Sequence, residues 1–113
     1  MRNMEISDNE LITQFLQGNE SGLEKLITRH QRKVFTSILL LVKDKELAED
    51  IFQETFIKVI NTLRSGNYHE EGKFLPWVVR IGHNLVIDHF RKQKRMPMVR
   101  DTDEFSVMDS LKL

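Results

Sequence analysis

The stretch Asp44-Lys45-Glu46-Leu47-Ala48-Glu49-Asp50-Ile51-Phe52-Gln53-Glu54-Thr55-Phe56-Ile57-Lys58-Val59-Ile60-Asn61-Thr62-Leu63-Arg64-Ser65-Gly66 decides how this chain folds. Asp44 can cap a helix, because its carboxylate accepts from the free N–H groups of a first turn. Leu47, Ala48, Ile51, Phe52, Phe56, Val59, Ile60 and Leu63 then recur at helical spacing and form one apolar stripe. The spacing predicts a helix to about Arg64, closed at Ser65-Gly66-Asn67 by residues that tolerate the left-handed conformation. Such a stripe must be covered by other helices.

The flanks supply them. Upstream, Leu23, Leu26, Ile27, Val34, Ile38, Leu41 and Val42 predict a helix from about Ser21 to about Lys43. The polar run Arg29-His30-Gln31-Arg32-Lys33 in its middle reads as mostly solvent-facing. Before it, Ser7 or Asp8 caps a shorter helix that turns Leu11, Ile12, Phe15 and Leu16 inward and ends at Gly18-Asn19. Residues 1–7 form a leader. Downstream, the polar loop Ser65 to Lys73 leads into a fourth helix. It starts near Phe74, with Pro76 in its first turn, where a missing N–H costs little. It continues through Arg95, and Met96-Pro97 stops it. Val78, Ile81, Leu85 and His89 point it at the core, and Gly82 permits a close helix approach. The fold class is all-α, a compact bundle of about four helices.

Composition agrees with this and excludes other classes. The chain has 113 residues, 40% of them hydrophobic, which suits one domain with a real core. Cysteine is absent, so disulfides, thiolate metal sites and thiol nucleophiles are excluded. The longest apolar run, Ile38 to Val42, is far too short to span a membrane, and no signal peptide precedes it. A soluble, cytoplasmic domain with no membrane insertion is the expectation.

The formal charge is zero, with 17 basic and 17 acidic residues, yet the distribution is polarised. Arg91, Lys92, Lys94, Arg95 and Arg100 cluster without an intervening acid, whereas Asp101, Asp103, Glu104 and Asp109 follow. The helix dipole accounts for part of such a basic end. A phosphate-contacting edge accounts for all of it. On the same helix Trp77, Arg80, Asn84, Asp88, Arg91 and Arg95 lie three or four apart, one stripe beside the apolar face. Arg and Asn can read base edges and Trp can stack on a base. Singly these residues have ordinary readings: Trp77 as partial core, Asp88 with Arg91 or Lys92 as a local pair, Asn84 as plain surface. On the third helix, Asp50, Gln53, Glu54, Ile57 and Asn61 make an acidic strip around an apolar residue the core does not need. That is ordinary surface, or a docking face for a basic helix.

Two motifs in register carry a resemblance. Ala48-Glu49-Asp50-Ile51-Phe52-Gln53-Glu54-Thr55-Phe56, and then Phe74-Leu75-Pro76-Trp77-Val78-Val79-Arg80-Ile81 with Asn84, Asp88 and Arg91, resemble conserved region 2 of bacterial sigma-70 factors of the extracytoplasmic-function group. The likeness runs from about Asp8 to Arg95. It implies an alternative sigma factor's promoter-recognition domain, residues 8–97, with no enzymatic activity, no cofactor and no metal. It implies docking on the clamp helices of the largest RNA polymerase subunit through Asp50, Gln53, Glu54 and Ile57. It implies contact with the −10 element, including its single non-template strand, through the loop 67–73 with Tyr68 and Lys73, and through Trp77, Arg80 and Asn84. Asp88, Arg91, Lys92 and Arg95 would face the adjacent duplex. An anti-sigma factor is a further implied partner, and the location is the bacterial cytoplasm, at the nucleoid. Residues 98–113 resemble an acidic linker toward a helix-turn-helix domain that the sequence does not contain, as expected of an excised domain.

This sequence departs from the pattern at Gly82, where alanine is usual, at Val78, where leucine is, and at His83, where a basic residue is common. The four histidines, His30, His69, His83 and His89, offer a rival reading as metal ligands beside carboxylates, but no inward-facing ligand pair is evident. A helical adaptor that binds only protein would leave the basic cluster without a role.

Overall fold

In the computed structural model, residues 6–69 and 72–95 are described, and they form four helices and no strand. These are α1 (Asp8–Leu16), α2 (Glu20–Val42), α3 (Lys45–Ser65) and α4 (Phe74–Arg95). The all-α bundle expected from the sequence is the observed architecture. The expected leader (apart from Ile6 and Ser7), the stop at Met96-Pro97 and the linker 98–113 lie outside the described residues.

Local chemistry sets each boundary. Ser7, not Asp8, caps α1 in a reciprocal box: its Oγ accepts from the Glu10 N–H at 3.1 Å, and its own N–H donates to Glu10 Oε1. Asn19 caps α2 through the Ser21 N–H. Lys43, at φ 56°, closes α2, and Asp44 caps α3 by accepting from the Leu47 N–H at 3.2 Å. The α2–α3 corner is therefore two residues long, which forces the helices to pack as neighbours. Asp44→Ala should cost about 1 kcal/mol. A thermal melt followed by circular dichroism checks this, with a midpoint about 4–8 °C lower. α3 ends at Gly66, φ 81°, where an L side chain would be strained. Pro76 is the third residue of α4, among the first four whose N–H groups have no helical acceptor.

α2 is central, packed against α1, α3 and α4, while α3 and α4 also pack on each other. Leu11, Leu26, Val34, Ile38, Ala48, Val59, Val78 and Val86 have no exposed surface, and Ile12, Phe15, Ile51, Phe56, Leu63, Phe74, Trp77 and Leu85 complete the core. At Gly82, α4 comes close enough that a Cβ would lie 3.2 Å from Ile38 Cδ1 and 3.4 Å from Thr55 Oγ1. The close approach expected there is observed. Thr55 itself is fully buried, its hydroxyl donating to the Ile51 carbonyl at 2.7 Å one turn back.

The structure corrects the sequence reading at several places. Leu16 and Leu41, expected inside, are 51% and 36% exposed. The buried arc of α2 runs through Leu39 instead of Leu41, because α2 meets helices on more than one side. For the same reason α4 buries Val86 completely, whereas Ile81 and His89 are half-buried. The run Arg29-His30 is not mostly solvated either. Arg29 Nη1 donates to Asp8 Oδ1 at 2.8 Å, and His30 Nε2 lies 2.9 Å from Asp8 Oδ2. A carboxylate from another helix replaces water for both, a pairing that sequence separation hides. Arg64 similarly reaches α1, its guanidinium 5.2 Å from the Phe15 ring centroid.

Candidate functional site

On α3, burial of Ile51, Thr55 and Val59 turns the opposite side outward. Asp50, Gln53, Glu54 and Asn61 are exposed there, with Ile57 58% exposed among them. A large aliphatic side chain left in water inside an acidic strip is the feature an ordinary solvated face does not require. Among the described residues no hydrogen bond or ion pair engages the two acids of this strip, so their charge is uncompensated at short range.

α3 and α4 enclose a cleft of about 440 Å³, lined by Lys58, Asn61, Thr62, Trp77, Ile81, Asn84, Leu85 and Asp88. Trp77, Ile81 and Leu85 supply its apolar lining. The rest of its lining carries two carboxamides, a hydroxyl, a carboxylate and an ammonium, contributed by both helices. That is the chemistry for holding a flat, hydrogen-bonding heterocycle by its edges. Three residues of the α4 stripe, Trp77, Asn84 and Asp88, meet here. Arg80, Arg91 and Lys92 are exposed but do not line the cleft. Of Arg95 only the backbone is described.

Trp77 is 9% exposed, so it is a wall of the cleft and part of the core, not an open stacking plate. Its ring packs 4.7 Å from Tyr68 and 5.9 Å from Phe74, and Tyr68 lies 6.2 Å from Phe74. The loop after α3 is thus fastened to the start of α4 by aromatic contacts. Lys73 is exposed at the mouth of α4, its carbonyl accepting from the Trp77 N–H at 3.1 Å.

Lys58, Asn61 and Thr62 bring α3 into the cleft, and the sequence assigns none of them to it. Its periodicity places Asn61 on the outer face of α3 and leaves the other two without a role. Periodicity shows which residues share a helix face, but not which residue of another helix stands opposite. Asn61 belongs to both surfaces and joins the acidic strip to the cleft. His83 does not line the cleft. It is half-buried with Nε2 sealed from solvent and without a hydrogen-bond partner, which does not suit a phosphate contact at that atom. Among the described residues, no three His, Asp or Glu side chains gather as a metal cluster, and no helix is long and apolar enough to cross a membrane.

Comparison with known proteins gives this geometry a lineage. Residues 26–96 match the family model for sigma-70 region 2. RNA polymerase sigma factor CarQ of Myxococcus xanthus is 33% identical over 82 residues, covering 73% of this chain and 46% of its own length. The ECF RNA polymerase sigma factor SigM of Bacillus subtilis is 30% identical over 79 residues, 70% of this chain and 47% of its own. RNA polymerase sigma-H factor of Pseudomonas aeruginosa is 30% identical over 90 residues, 80% and 46%. The chain spans a little under half the length of these relatives. No solved structure matches it significantly. With the four-helix fold, both motifs in register and a family match over well over half its length, the chain belongs to the sigma-70 region 2 family, among factors of the extracytoplasmic-function group.

Proposed function

We propose that this chain is the promoter-recognition domain of an alternative sigma factor, docking on RNA polymerase and holding the −10 element open during transcription initiation. The observation that carries the reading is the continuity of the α3 strip with the α3–α4 cleft through Asn61. Asp50, Gln53, Glu54 and Ile57 engage the clamp helices of the largest polymerase subunit, acids toward basic side chains and Ile57 toward an apolar one. Polymerase held there sets the cleft beside the non-template strand. A base that leaves the stack costs a few kcal/mol, which the cleft offsets by burying and hydrogen-bonding it. Asn61, Asn84 and Asp88 read the base edge, Trp77 lines the cleft with Tyr68 packed on it, and Lys73, Arg80, Arg91, Lys92 and Arg95 face phosphates. The domain makes and breaks no covalent bond and needs no cofactor.

In this reading residues 8–97 are the working domain, 98–113 an acidic linker segment, and the bacterial nucleoid the place of action. An anti-sigma factor would compete for the exposed α3 strip. Asn84→Ala is the clean probe of the cleft, because Asn84 is exposed whereas Trp77→Ala would also open a core cavity. Promoter opening by reconstituted holoenzyme should fall about tenfold, consistent with removal of one base contact. Clamp binding and the thermal midpoint should stay unchanged. An equal fall in clamp binding would remove the assignment of Asn84 to DNA.

A further inference from the structure

We infer that His30 is a positioning residue for the aromatic wall of the cleft, acting from α2 without touching DNA itself. This inference rests on the proposed base capture for its functional meaning, and on the contacts below for its geometry.

Asp8, in the first turn of α1, holds His30 by its carboxylate, with Nε2 at 2.9 Å from Oδ2 and 3.0 Å from Oδ1. Arg29 binds the same carboxylate at 2.8 Å, which fixes the acceptor. The His30 ring then lies 5.5 Å from Phe74, tilted by 45°. Phe74 is the first residue of α4 and only 2% exposed, and it packs on both Tyr68 and Trp77. Contact is therefore unbroken from α1, through His30 and Phe74, to Trp77, which lines the cleft, and to Tyr68 packed on it.

Two features make this line more than a staple between α1 and α2. Backbone hydrogen bonds tie down the two ends of the α3–α4 loop, Gly66 and Asn67 to α3 and Lys73 to Trp77. The Tyr68 ring between them packs on Phe74 and Trp77. Furthermore, His30 makes two separable contacts, a polar one by Nε2 and a ring contact on Phe74. Removing the ring frees Phe74 to move into the vacated space, and Tyr68 and Trp77 would follow. A wall already in place spares the bound base part of the ordering cost, so loosening it weakens binding while every DNA-touching residue stays in the chain.

His30→Gln and His30→Phe separate the two contacts. Glutamine can keep an N–H directed at Asp8 and loses the ring; phenylalanine keeps the ring and loses the N–H. The full chain is compared in three readouts: thermal midpoint, emission of Trp77, which is the one tryptophan, and anisotropy. The anisotropy probe is a short fluorescein-labelled single strand of randomised sequence, with the polymerase clamp-helix segment added. His30→Gln should hold the midpoint within a few degrees, shift Trp77 emission to the red without DNA, and bind the strand roughly five- to tenfold more weakly. His30→Phe should lower the midpoint yet keep the emission and affinity of the parent. Unchanged emission in His30→Gln, collapse of its fold, or affinity that tracks the midpoint across both variants would overturn the inference. If the parent chain itself fails to hold the strand, base capture fails, and the Trp77 emission still decides whether His30 sets the wall.

Discussion

Replacing Gln53 and Glu54 together by alanine should abolish measurable association with the polymerase clamp helices and leave helicity intact. Both side chains are exposed on α3, on the side away from Ile51, Thr55 and Val59. Their removal opens no cavity, and alanine favours the helix, so stability should change by no more than about 0.5 kcal/mol. The fall in binding should be large because the strip is small. Its centre is Ile57, and the polar side chains around it supply both the charge match and the exclusion of water. Truncating two central side chains, at about 2 kcal/mol each, weakens binding by close to a thousandfold. The affinity of the parent should also fall with added salt, since Asp50 and Glu54 attract a basic partner across a screened distance. Pull-down of the clamp coiled coil by the double variant, at the level of the parent, would end the assignment of α3 as the docking helix.

The second large effect is expected at Gly22. A Cβ there would lie 2.6 Å from the Leu11 carbonyl oxygen and 3.1 Å from the Phe15 N, both backbone atoms of α1. Neither can swing aside, so Gly22→Ala must push α1 off α2. Overpacking of this kind costs about 1–3 kcal/mol, against a gain of about 1 kcal/mol from helix propensity. Because a rigid carbonyl is the obstacle, the net should lie near 2 kcal/mol, a thermal midpoint lower by about 8–16 °C. Gly82→Ala is the matched contrast. Its Cβ meets only side-chain atoms, Ile38 Cδ1 at 3.2 Å and Thr55 Oγ1 at 3.4 Å, so propensity and crowding should nearly cancel, within about 1 kcal/mol of the parent. Equal melts for the two variants would show that α1 yields where the structure has it fixed. The usual alanine at position 82 in the family pattern is consistent with that tolerance.

Much of the fold is legible in the sequence because each helix carries its own signals. Asp44 and Gly66 act within a turn of their own position, so the groups they satisfy stand beside them in the chain. The α3 stripe is legible for a similar reason: Ala48, Ile51, Phe56, Val59 and Leu63 need only a regular helix to share a face. The errors gather where a second helix decides. Leu16 and Leu41 fit their periodic patterns, and yet no neighbour covers them fully. Ser7 and Asp8 both fit a cap, and packing decides between them: Ser7 takes that role and Asp8 holds Arg29 and His30. Trp77 fits an open stripe, and Tyr68 and Phe74 close over it.

The candidate site divides the same way. Asp50, Gln53, Glu54 and Ile57 are visible as a strip because they belong to one helix. Lys58 and Thr62 cannot be recognised as cleft residues, nor Asn61 as facing Asn84, because their relation exists only once α3 and α4 are packed. By itself the sequence determined four helices, the Asp44 cap and Gly66 stop of α3, the core stripe of α3, the family and the polarity of the chain under a net charge of zero. Tertiary structure alone decided the cleft, the packing of Tyr68 on Trp77 and the line from Asp8 through His30 to Phe74. Periodicity and capping act over one or two turns of a single helix. Clefts and ion pairs between helices depend on distances between residues remote in sequence, which only the packing of helices sets.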